Sequence, residues 1–202
     1  MRIGILGSGK IGGTIGKQWV KAGHEVRFGV RDVNKPEVQA LVQSLGGNST
    51  AGSHEDAIAF GEVVLFAIPG ATMPETVAAH AKALEGKIVI DAANKIGSSP
   101  ANSLADFARL APHAEVYRAF NNYGWENFEK PIIGGVQADL FYSGPDGKSR
   151  AVVEQLIKDV GLRPIHFGAD QAERVDDILK IWIMLVREQK MGRHMAFKLL
   201  SE

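Results

Sequence analysis

The 202-residue sequence contains no cysteine. That removes disulfides, thiolate metal sites and cysteine nucleophiles together. It has no excess of either charge, with 23 basic against 23 acidic residues. A nucleic-acid partner calls for a basic surplus or a basic face, so that class is not expected. Long apolar runs are missing as well. The strongest, Ile181 to Val186, has six residues, against the roughly 20 that a membrane-spanning helix needs. Met1 and Arg2 lead straight into a strand pattern and leave no room for a signal peptide. A soluble, cytoplasmic protein without a membrane partner is the expectation.

What is present is a regular alternation. Short β-branched runs at 3–6, 25–30, 63–68, 87–91, 116–120, 139–143 and 163–167 read as strands. Helical patterns fall between them at 11–22, 38–45, 55–60, 74–84, 104–110 and 149–160. Strands and helices alternating at this spacing imply parallel βαβ units, hence an α/β, doubly wound, mostly parallel sheet over residues 1–168. Residues 169–202 carry no strand pattern. They read as a C-terminal helical extension, one helix or two over Gln171 to Ser201 with Gly192 as its weak point. Its centre is apolar all round and needs a second covering surface, which favours a homodimer built on these helices.

The opening stretch, GILGSGKIGG, carries the sharpest motif. Gly7-Ser8-Gly9-Lys10-Ile11-Gly12 directly follows a predicted strand and opens a predicted helix, the context a dinucleotide loop requires. Gly7 permits the tight turn, Gly9 lets backbone amides approach a pyrophosphate, and Gly12 lets helix and strand pack closely. About 20 residues on, where the residue type selects the adenosine ribose, the chain reads Val30-Arg31-Asp32, with Lys35 beyond. Arg31 and Lys35 favour the 2′-phosphate of NADP, because a guanidinium grips phosphate bidentately. An inward-pointing Asp32 would argue for NAD. Further strand ends carry Ala67-Ile68-Pro69 and Asp91-Ala92-Ala93-Asn94. The first is placed to cross the cofactor's ribose and diphosphate. Asn94 either offers its amide to the nicotinamide or caps a turn with Asp91.

These stretches, with HEVRFGVRD, VVLFAIP, KIVIDAANK, RAFNNYGWENF, DLFYSGPD and KIWIMLVREQKMGRHMAFKLL, resemble the family of small NADP-binding Rossmann proteins that includes the NADPH-dependent reductase of the deazaflavin coenzyme F(420). The likeness runs over almost the whole chain and extends to the cytoplasmic domain of six-transmembrane ferric reductases. It implies hydride transfer between NADP(H) and a deazaflavin or flavin-type acceptor: coenzyme F(420), FMN or FAD. It also implies that Asn94 and the Phe120-Asn121-Asn122 turn edge the nicotinamide, that Asn122 and Tyr123 border an acceptor pocket closed by the C-terminal helices, and that Trp182 lies near that pocket or the dimer interface. Three positions depart from the family pattern: Val30 for serine or threonine, Lys95 for proline, and Asn122 for threonine. They leave cofactor binding intact and the acceptor open.

No Ser–His–Asp order, paired-carboxylate motif or histidine metal spacing accompanies these features. The six histidines are scattered, and His194, in the family-like tail, is the one that invites a test. Two alternatives therefore stand beside the hydride-transfer reading. One is a reductase of a small carbonyl or imine, which needs a proton donor that the sequence does not identify, Tyr123 being the only nearby candidate. The other is a non-catalytic NADP(H)-binding redox sensor.

Overall fold

A computed structural model describes residues 1–202. Its centre is a six-stranded parallel sheet in the order β3-β2-β1-β4-β5-β6. The strands are β1 (Arg2–Leu6), β2 (Glu25–Gly29), β3 (Ser49–Gly52), β4 (Val63–Phe66), β5 (Ile88–Asp91) and β6 (Glu115–Arg118). The order reverses at β1, the switch point at which doubly wound sheets open a crevice. Helices α1 (Lys10–Lys21), α2 (Pro36–Leu45), α3 (His54–Phe60), α4 (Met73–Leu84) and α5 (Leu104–Leu110) make the crossovers.

Side-chain alternation along each strand divides the core in two. Ile3, Ile5, Val63, Leu65 and Ile90 face α1, where they meet Ile15 and Trp19. Leu6, Val64, Phe66 and Val89 face the other way, against Ala57 and Ile58 of α3, Val77 of α4 and Phe107 of α5. Both sheet faces are thus covered, which is why these strands read as continuous apolar runs.

After β6 come α6 (Glu126–Glu129), the hairpin β7 (Ile132–Ile133) and β8 (Val136–Gln137), then β9 (Asp139–Tyr142), α7 (Lys148–Asp159), β10 (Arg163–His166) and α8 (Ala172–Arg187). The strand expected at 139–143 does not join the central sheet as a parallel member. β9 pairs with β10 in a separate two-stranded ladder, tied to the main sheet by one antiparallel bridge between Arg118 and Ser143. A strand that sequence reading passes over, β3, closes the opposite edge. Its four residues, Ser-Thr-Ala-Gly, carry no apolar run to betray it.

The C-terminal segment also departs from expectation. The helix ends at Arg187, not near Ser201, and Lys190 and Gly192 take positive φ of 53° and 83° as the chain turns back. The tail then runs extended over the core. Its backbone groups find partners there that a helix would have had to forgo: Trp182 Nε1 donates to the Met195 carbonyl at 2.8 Å, and Leu199 N–H donates to Asp139 Oδ2 at 2.6 Å. Nor is α8 apolar all round against the core. Val175, Leu179 and Trp182 are buried, while Ile181 and Met184 are exposed. No helix is long and apolar enough to cross a membrane.

Candidate active site

A cleft of about 960 Å³ opens along the carboxyl edge of the sheet, at the switch point. Gly7, Ser8, Gly9, Lys10, Ile11, Val30, Arg31, Lys35, Ala67, Ile68 and Pro69 all line it. Three separate strand ends, β1, β2 and β4, bring these residues together. Gly12 does not line the cleft. It is buried, and a Cβ there would run into the Gly7 carbonyl oxygen, so it serves the close packing of helix on loop.

The loop's geometry fits an anion. Gly7 has φ of 100°, and a Cβ there would meet the Ala67 carbonyl oxygen at 2.6 Å. Only glycine takes that turn at no steric cost. Beside Gly9 a Cβ would meet nothing within 4 Å, so the loop's outer side is open for a ligand to approach the backbone. Helix α1 begins at Lys10 with no side-chain cap and no acidic residue in its first turn. Its leading N–H groups and positive dipole end are therefore left for a negatively charged group.

On the same cleft Arg31 and Lys35 are exposed side chains beyond β2. Asp32, the residue that argued for NAD, turns its carboxylate to its own loop: Oδ1 accepts the Asn34 N–H at 2.9 Å. That leaves the two cations as the groups suited to a 2′-phosphate. His54 and His80 also line this cleft, with ring centroids 6.0 Å apart. Sequence reading missed both, His54 because it opens α3 directly behind the unrecognised β3. The available signal was the capping box Ser53-His54-Glu55-Asp56, in which Asp56 N–H donates to Ser53 Oγ and the Asp56 carboxylate accepts from Ser53 N–H.

Asn94 and Asn121 are not among the residues lining the cleft. They belong to a buried polar cluster behind it, although a Cβ on Gly70 would strike the Asn94 carbonyl, so the β4 and β5 loops touch. At the centre of the cluster is Arg118, wholly buried. It donates to Asp176 Oδ1 at 2.8 Å through Nε, to Asn94 Oδ1 at 2.6 Å, and to the Asp91 and Ala93 carbonyls. Asp91 caps the turn that follows it, accepting Ala93 N–H at 3.0 Å and Ser103 N–H at 2.9 Å. Burial pushes the Asp91 carboxyl above its ordinary pKa, against the pull of Arg118. Asp176 further accepts from Asn102 at 2.8 Å and from Asn121 at 3.3 Å.

The three residues assigned to an acceptor pocket are placed otherwise. Asn122 is buried, donating to the Val175 carbonyl and accepting the Phe141 N–H. Tyr123 donates its hydroxyl to the Asp139 carbonyl at 2.6 Å, and burial holds the phenol far above its ordinary pKa. Trp182 is spent on the tail through Met195. All three tie the segment after β6 to β9, α8 and the tail, because each polar atom there is enclosed and takes an internal partner. His194 contacts the Lys130 carbonyl at 2.8 Å and lines a second cavity of about 370 Å³ between the hairpin and the tail. No lining residue is common to the two cavities.

Comparison with known proteins agrees with this geometry. Residues 2–95 match the family described as NADP oxidoreductase, coenzyme F(420)-dependent. No curated protein sequence matches the chain. Among solved structures it is similar to a candidate coenzyme F(420)-dependent NADP-reductase from Arthrobacter sp. FB24, at 26% identity and a TM-score of 0.82, covering 98% of this chain and 99% of that one. A hypothetical protein from Sinorhizobium meliloti is 21% identical, with a TM-score of 0.72 and coverage of 100% and 96%. A reductive aminase from Aspergillus terreus, in complex with NADPH and ethyl levulinate, is 20% identical with a TM-score of 0.69. It covers 91% of this chain and 60% of its own, and shares the fold. Residues 2–95, which match that family, include every residue found to line the cleft, and the chain is an NADP-dependent oxidoreductase.

Proposed function

We propose that this protein transfers hydride between NADP(H) and a deazaflavin or flavin-type acceptor, with coenzyme F(420) the first candidate. The observation that carries the proposal is the single cleft joining the uncapped α1 N-terminus to Arg31 and Lys35. It offers one place for a pyrophosphate and a second for a 2′-phosphate within one crevice. The nicotinamide supplies the hydride when the cofactor is bound. The chain's own part is orientation and shielding: backbone N–H groups of the glycine loop hold the diphosphate, Arg31 and Lys35 hold the phosphate, and Ala67 to Pro69 form the apolar wall. In such a transfer the geometry of two rings and exclusion of water matter more than a side-chain acid.

The carbonyl or imine reading needs a proton donor beside the nicotinamide. Tyr123, its candidate, keeps its proton on the Asp139 carbonyl and is raised far out of the working range. A deazaflavin that accepts the hydride needs one proton to complete its reduction, which solvent can supply, and so asks for no such group. The test is an acceptor screen followed at the nicotinamide absorbance band. Purified protein with NADPH is expected to reduce coenzyme F(420), FMN or FAD, with little turnover of small ketones or imines. If none of these, nor a ferric chelate, is reduced, the hydride-transfer assignment fails and the redox-sensor reading takes its place.

A further inference from the structure

Three of the six histidines have their ring nitrogens engaged within the fold. His24 meets Asp159 and the N-terminal amine, His166 the Gly144 carbonyl, and His194 the Lys130 carbonyl. His54 and His80 differ. Both are half-buried, both line the cleft, and neither ring makes a hydrogen bond within the protein. His54 is the first residue of α3, lying directly against the end of β2. A Cβ on Gly29 would meet its Cα at 3.1 Å and its Cδ2 at 3.2 Å, and Arg31 follows two residues later. His80 approaches from α4, edge-on to His54 at an interplanar angle of 72°. The ends of β2 and β3 and the flank of α4 thus bring Arg31, His54 and His80 together at one end of the cleft.

We infer that His54 is a specificity-determining contact for NADP(H), its free ring nitrogen donating to the 2′-phosphate beside Arg31. The inference rests on the reading of the Arg31 end as the 2′-phosphate subsite. The charged and titratable groups around the ring are Glu55 on its own helix, Arg31, Asp32 and Lys35 from the β2–α2 loop, and Glu75 and His80 from α4. Burial, then His80 and Arg31, hold the empty His54 ring below its ordinary pKa, against Glu55. The empty ring therefore gives up its proton more readily than an ordinary imidazole. A phosphate carrying about −1.5 to −2 charges reverses that balance and draws a proton onto it. NADH, with a hydroxyl in place of the phosphate, does not.

Binding of NADPH and NADH to the wild-type chain and to His54→Ala, His54→Gln and Arg31→Ala tests this, with the fold of each variant checked by its melting curve. Near pH 6, about the range in which imidazole titrates, His54→Ala should weaken NADPH about tenfold and NADH less than about twofold. Calorimetry in buffers of different ionisation enthalpy should register proton uptake with NADPH that shrinks in His54→Gln. The phosphate itself gains a proton in the same range, so the contribution of His54 is read as the difference between wild type and His54→Gln. Equal weakening of NADPH and NADH would mean that the ring serves the adenine or the fold, and would overturn the inference. Unchanged NADPH binding in both His54 variants overturns it too. The Arg31→Ala variant separates the two layers. If it leaves the preference for NADPH over NADH intact, the 2′-phosphate reading itself is wrong. If the preference collapses while the His54 variants behave as wild type, that reading stands and the His54 contact falls.

Discussion

Arg118 holds a cation wholly out of water, between the carboxylates of Asp91 and Asp176. Neither carboxylate faces it idly. Each of their four oxygens accepts a hydrogen bond, from a backbone N–H, from a buried amide or from the guanidinium itself. Removing the cation leaves two acids enclosed with no opposite charge, and such losses cost about 3–5 kcal/mol. Arg118→Met is therefore expected to lower the urea midpoint by that equivalent and to loosen the Asn94 turn, which loses its partner at Oδ1. A midpoint within error of wild type would show the cluster to be dispensable. The residue scale also marks the limits of sequence reading. Arg31 was legible because a strand end about 20 residues past a glycine loop is a fixed address. Arg118 has no such address, since nothing in a one-dimensional pattern places it beside an aspartate 58 residues later.

At the scale of elements, the tail past Arg187 is held by one residue in particular. Asp139, at the start of β9, accepts from Arg163 Nε and Nη2 at 2.7 Å each, from Lys198 Nζ at 3.1 Å and from Leu199 N–H at 2.6 Å. Its own N–H donates to the Phe197 carbonyl. Burial alone would raise the Asp139 carboxyl, but these donors outweigh it and hold the carboxyl below its ordinary value. A folded pKa below the unfolded one means that the stabilisation is complete above about pH 4, the ordinary aspartate value, and fades as pH falls through the lower folded value. Asp139→Asn should cost roughly 2 kcal/mol at neutral pH, and should flatten the acid limb of the stability profile. Denaturant melts across the acid range check both; an unchanged acid limb excludes Asp139 as the tail's latch. The expected helix over 171–201 failed for the same reason. Helical spacing continues past Arg187, yet the partners that stop the helix lie on β9 and at Tyr123, remote in sequence. Edge strand β3 escaped notice in the opposite way, because a polar four-residue strand recruited by β2 has no signal of its own.

For the whole molecule, alternation of strand and helix was enough to derive the doubly wound sheet, because covering both faces forces parallel strands to be apolar throughout. Quaternary structure was not legible to the same degree. Ile181 and Met184 stand exposed on α8, and Leu200 is 84% exposed on the tail. We propose that α8 pairs with a second copy through this face. Light scattering on a sizing column should give a dimer, and Ile181→Glu with Met184→Glu should give a monomer; a monomeric wild type would end the proposal. The Arg118 cluster has one more consequence, in time rather than space. Its guanidinium leaves the ribosome 58 residues ahead of Asp176, the carboxylate that also satisfies Asn102 and Asn121. A nascent chain can complete β1 to β5, with the glycine loop and the Arg31 end of the cleft, well before that acid emerges. The turn carrying Asn94 cannot settle until α8 docks, so the end of the crevice nearest that turn takes its final shape later than the glycine loop and the Arg31 end.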